Sequence, residues 1–115
     1  MRIKRIVVND RAVAVVEDEM PLITDPMVAM EIVMRAKFEL GAGLLAVEAS
    51  ALAPEFFDPT TDMAENILRQ FEEFGVKGAV FGDLSFYGDE VRQALAEKVF
   101  LAEDRETAIT WLTQE

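Results

Sequence analysis

The chain has 115 residues, 51% of them apolar, with 11 basic against 22 acidic side chains and a net charge of −11, and it contains neither cysteine nor histidine. That length predicts a single domain, residues 1–115, with a core of its own. The missing residue types exclude disulfides, thiol catalysis, the commonest general base and the commonest transition-metal ligands, and an acidic chain without a basic cluster is a poor match for nucleic acid or an anionic membrane.

Residues 3–8 and 12–16 are rich in Ile and Val and read as two strands, joined at Asn9-Asp10, a pair that tolerates the left-handed turn of a hairpin. The basic start Met1-Arg2-Ile3-Lys4-Arg5 runs directly into the first strand without a cleavage signal, and no apolar run approaches the ~20 residues of a membrane span, so a cytoplasmic location is expected. After the acidic exit Glu17-Asp18-Glu19, Asp25 and Pro26 mark a helix start as N-cap and first helical residue.

The helix predicted over 26–40 is apolar on two sides. Ala29, Ile32, Val33, Ala36 and Leu40 form one arc at helical spacing, Met27, Met30, Met34 and Phe38 form a second, and Glu31, Arg35 and Glu39 make a solvated stripe. One arc needs the sheet. The other needs a neighbouring helix or a second copy of the chain, so self-association through Met27, Met30, Met34 and Phe38 is an expectation.

Next comes the strand, loop, helix, strand grammar of a βαβ unit with parallel strands: Leu44-Leu45-Ala46-Val47, the loop from Phe56 to Asp62, a helix over 63–74 stopped by Gly75, and Gly78-Ala79-Val80-Phe81. Asp58, Thr60, Thr61 and Asp62 all offer oxygen to the free amides at the start of that helix, and Asp62 with Glu65 has capping-box spacing. A polar loop Gly82-Asp83-Leu84-Ser85, a turn Phe86-Tyr87-Gly88, a helix over 89–98, a strand over 99–102 and a helix capped by Asp104 complete an α/β chain with a mixed sheet, ordered β-β-α-β-α-β-α-β-α.

This order resembles the sulfate transporter and anti-sigma factor antagonist (STAS) domain. More specifically, the chain resembles the bacterial family named domain of unknown function 4180, through Leu52, Phe56-Phe57-Asp58, Thr61, Ala64, Ile67-Leu68 and Phe71, then Gly82-Asp83-Leu84-Ser85, then Glu106, Ala108-Ile109 and Trp111-Leu112. It departs from that family's pattern at Asp62, Gln70 and Ala96-Glu97-Lys98. In STAS-type antagonists a serine or threonine at the start of the second helix is phosphorylated and a protein complex is thereby broken. The resemblance therefore implies Thr60 or Thr61 as phosphoacceptor. The residues themselves suggest a partner-binding surface of Asp58, Phe56, Asp83 and Ser85 beside Phe57 and Phe86, with at least one of Phe56 and Phe57 expected in the core. A capping role for the same threonines is the competing expectation.

Catalysis finds little support: the glycines make no phosphate-binding pattern, and a serine hydrolase would lack its base. The expectation is a non-enzymatic adaptor that binds another protein, with no cofactor and no resident metal. The rival reading is a small-molecule or magnesium site, or a minor enzyme, built from Glu48, Ser50, Asp83, Ser85 and Asp104 near the carboxyl ends of the strands.

Overall fold

A computed structural model describes residues 3–85 and 87–114. The first two strands, β1 (Ile3–Val8) and β2 (Arg11–Val16), form the expected hairpin, with Val8 opposite Arg11 and left-handed φ values of 54° at Asn9 and 61° at Asp10. Both central turn residues at positive φ give the mirror-image turn whose twist matches paired strands, and Asn and Asp are among the few side chains that accept it.

The remaining strands, β3 (Leu44–Glu48), β4 (Lys77–Phe81) and β5 (Phe100–Ala102), add in parallel to give a five-stranded sheet in the order β1-β2-β3-β4-β5. Each crossover steps one strand in the same direction. Right-handed crossovers that step one way lay their helices on one face, and α1 (Pro26–Met34), α2 (Met63–Glu73) and α3 (Asp89–Ala96) all contribute to a single core with Ala14, Val16, Leu45, Val47 and Val80. The opposite face, formed by Val13, Val15, Leu44, Ala46, Ala79 and Phe81, is covered by α4 (Arg105–Thr113) through Ala108, Ile109 and Leu112. The expected element order and the mixed α/β sheet are therefore present.

Aromatic and charged contacts fix α4. Trp111 stacks on Phe100 at 4.5 Å between ring centroids, Lys77 places its ammonium 4.1 Å from the Trp111 ring, and Arg105 reaches Glu17 at 2.8 Å. The loops after β2 and β3 are also zipped together: the Leu22 and Ile23 amides donate to the Ala51 carbonyl at 2.8 and 2.9 Å, and the Ala53 amide donates to the Ile23 carbonyl at 3.0 Å. Ile23 is thereby driven fully into the core.

Some boundaries differ from the sequence expectation. The first helix ends its α-helical hydrogen bonding at Met34 and continues as a π turn, Arg35–Glu39, closed by the Leu40 amide on the Arg35 carbonyl at 3.1 Å. The wider turn accommodates one more residue before the reversal at Gly41, whose φ is +64°. Two 3₁₀ turns, Ala49–Ala51 and Pro54–Phe57, occupy what reads as loop. Among the described residues no helix is long and apolar enough to cross a membrane.

Helix α2 meets the sheet at a glycine. A Cβ on Gly78 would stand 2.5 and 2.6 Å from two ring carbons of the buried Phe71, which uses the space above the strand. Gly78→Ala is therefore expected to lower stability by about 1–3 kcal/mol, the usual effect of overpacking, with Gly78→Ala in a Phe71→Leu background costing less than in the wild type. Chemical denaturation measures both, and an unchanged midpoint for Gly78→Ala would contradict this packing.

Candidate functional site

Three regions carry the residues that the sequence marks as functional: the tip of α2, the carboxyl ends of the strands, and the outer face of α1.

At the α2 tip, Asp58 organises a tight turn. Its Oδ1 accepts the Thr60 amide at 2.9 Å and the Thr60 hydroxyl at 2.7 Å. Thr61 turns the other way: its hydroxyl lies 2.7 Å from the Glu55 carbonyl and 3.0 Å from the Asp58 carbonyl, and accepts the Met63 amide at 3.4 Å. One hydroxyl thus ties the 3₁₀ turn to the first residue of α2. Asp62 occupies the N-cap position without a side-chain capping bond, so the expected Asp62–Glu65 capping box is not formed. Thr61 instead accepts an amide at the end of the helix, that of Met63.

Phe56 is corrected from the expected surface to the core. It is 2% exposed, Phe57 is 4% exposed, and the two rings meet edge to face at 5.1 Å. Phe57 also stacks on Tyr87 at 4.4 Å. Their burial anchors the loop, so neither ring is available to a partner, and Phe86 lies outside the described residues. The small crevice at this tip, about 140 Å³, is lined by the carboxylates Asp58, Asp62 and Glu65 against the single cation Lys98. A phosphate on either threonine would meet like charge there.

At the strand ends, carboxylates expected to converge on a ligand are each engaged locally. Glu48 accepts the Asp18 amide at 3.1 Å, Asp83 the Ser85 amide at 2.9 Å, and Asp104 the Thr107 amide at 2.7 Å, while Ser50 donates to the Asp18 carbonyl. The zipper of residues 22–23 and 51–53 roofs the β2–β3 end. Among the described residues no three acidic side chains gather in metal-binding geometry. A groove of about 730 Å³ does open between the ends of β4 and β5, with Asp83, Ser85, Arg92 and Glu103 on its rim and Leu84 and Leu101 below. It forms because α3 and α4 leave those two strands for opposite faces of the sheet, the arrangement that separates neighbouring loops.

Hydrogen bonds also set the electrostatics of these turns. Asp58 and Asp83 are held below the ordinary carboxylate range chiefly by the side chains of Thr60 and Ser85, and Asp104 chiefly by the Thr107 amide. All three are open to solvent, which screens the effect.

Helix α1 presents the largest contrast. Of its expected inner arc, Ala29, Ile32, Val33 and Ala36 are buried and Leu40, beyond the π turn, is half-buried. Directly opposite, Met27 is 67% exposed, Met34 41% and Phe38 68%, with Met30 half-buried between this crest and α2. Lys37, on the α2 side, donates to the Phe74 carbonyl and closes that flank. The second apolar arc therefore finds no partner helix within the described residues. α2 packs beside α1 and leaves its crest open.

Two predictions follow from the turns. Thr61→Val removes a hydroxyl used by three backbone groups and is expected to cost about 1–2 kcal/mol, whereas Thr60→Ala should remain near wild type because Asp58 still accepts the Thr60 amide; urea denaturation of both variants decides, and equal losses would contradict the assignment. For Asp104, a folded pKa lower than the unfolded value of about 3.9 contributes stability that is present above that value and lost as pH falls through the folded pKa. The advantage of wild type over Asp104→Asn in thermal melts should therefore shrink as pH falls from about 4 to about 2, and a constant difference would contradict it.

No curated protein and no solved structure matches the chain. The family model described as Domain of unknown function (DUF4180) matches residues 8–112, from the end of β1 into α4, and the chain belongs to that family.

Proposed function

We propose that this chain is a non-catalytic protein-binding module that docks through the outward face of α1. One observation supports this above the others: Met27, Met34 and Phe38, three of the largest exposed apolar side chains, stand on one face of α1 and the π turn that extends it. Soluble proteins rarely leave such groups contiguous in water without a use, and methionine suits a surface that must fit a partner.

The α2 tip, where the sequence suggests a partner surface, has its side chains engaged within the chain. Thr61 holds backbone, Phe56 and Phe57 fill the core, and Thr60, the exposed threonine, lies against the Asp58 carboxylate. Regulation by phosphate at Thr60 would have to overcome that neighbour. The groove between β4 and β5 favours a second reading, a site for a small polar ligand, because it lies where the sheet separates its loops. Amide shifts at Gly82 and Ser85 during a fragment screen would support it, and their absence across a broad library would remove it.

Met34→Glu and Phe38→Glu test the main reading. Both positions are exposed, so folding stability should change by no more than about 0.5 kcal/mol. Wild-type protein immobilised in lysate of its source organism is expected to retain proteins that both variants release; identical retention by all three would contradict docking through α1.

A further inference from the structure

We infer that the occupant of the α1 face is a second copy of this chain, packed antiparallel about a two-fold axis at the level of Ile32 and Val33. This rests on the reading of that face as a docking surface and names its partner.

The pattern along the crest is nearly palindromic. Large apolar groups stand at both ends, Met27 and Phe38, with Met30 and Met34 between them, so the apolar row reads alike from either end. A two-fold contact uses the same patch on both copies, so it requires a patch that reads alike from either end. Reversing one helix against the other sets Met27 of one copy beside Phe38 of the other, a favourable thioether–aromatic pairing. It also brings the methionine-rich middles together.

Charge selects the direction. Glu31 and Arg35 are both exposed on one flank of the stripe. In the antiparallel arrangement Glu31 of each copy faces Arg35 of the other, giving two crossed pairs by symmetry. A parallel arrangement sets the Glu31–Arg35 flank of one copy against the opposite flank of the other, so these crossed pairs do not form. Within one chain Arg35 already lies 3.2 Å from Glu39, but its planar guanidinium carries five donors and serves a second carboxylate without leaving the first. With −11 on each copy, unspecific association is opposed, and the crossed pairs supply register as well as attraction. The opposing helix dipoles agree with the same direction.

Size sets the strength. The 14 residues from Pro26 through Glu39 span roughly 20 Å of helix, so the contact falls in the small, transient class of interfaces, below about 1,200 Å². The dimer is accordingly concentration-dependent and in exchange with monomer.

Sedimentation velocity on the full chain, from micromolar to millimolar, tests this with Glu31→Arg, Arg35→Glu, the double variant and a 1:1 mixture of the singles. Wild type is expected to dimerise as concentration rises. Each single variant, now with like charges at both crossed positions, should weaken association roughly tenfold. The mixture and the double variant should recover it, because opposite charges face again, and thermal melts of the singles would establish that they are folded. A mixture no better than its components would overturn the antiparallel dimer. Wild type that stays monomeric at millimolar concentration would overturn it too: if lysate proteins are still retained by wild type and released by Met34→Glu, the α1 docking reading survives without self-association, and if none are, both fall.

Discussion

The parallel ladder through β2, β3 and β4 is buried on both faces, and that requirement governs the rest of the molecule. Every residue from Val13 to Val16 is buried, odd positions against α4 and even positions against the α1–α2–α3 layer. A two-sided strand needs cover above and below, because neither its side chains nor its backbone can be left half-solvated at low cost. Crossovers stepping in one direction supply three helices to one face, and α4 alone returns beneath the other. The row of three has ends. α1 stands at one of them, with α2 beside it and the sheet below, and among the described residues Met27, Met34 and Phe38 on its crest are exposed.

The fold was legible because its signals are local and repeated. Asp25 before Pro26, Asn9-Asp10 between β-branched runs, Gly75 at φ +66° after α2, and Asp104 before α4 each do what their chemistry predicts. What was missed depended on contacts between distant segments. The bridge between Ile23 and Leu52 joins two loops that carry no strand pattern of their own, and the π turn at Arg35–Glu39 reflects how the chain must reach Gly41 after a helix held in the core by Ala36. Neither leaves a periodic trace in sequence.

The candidate site shows the same division. The bare arc on α1 was visible because a helix with two apolar sides is unusual, and sequence alone left open whether a neighbouring helix would fill it. The α2 tip was misleading for a physical reason. Polar residues before a helix are needed to satisfy its amides, so Asp58, Thr60, Thr61 and Asp62 look alike whether they build a turn or bind a partner. Only coordinates separate Thr61, whose hydroxyl bridges Glu55 and Asp58 to Met63, from Asp62, which caps nothing with its side chain. The burial of Phe56 similarly follows from the 3₁₀ turn that points it inward, and that turn has no signature beyond Pro54.

The antiparallel pairing of two copies through the outer crest of α1 is the most specific claim of the functional account, and its most direct measurement is a filtered nuclear Overhauser experiment on a concentrated mixture of isotope-labelled and unlabelled chains. The account predicts cross-peaks between the Met27 methyl group of one molecule and the Phe38 ring of another. Cross-peaks between molecules that arise elsewhere, with Met27 and Phe38 silent, would contradict it.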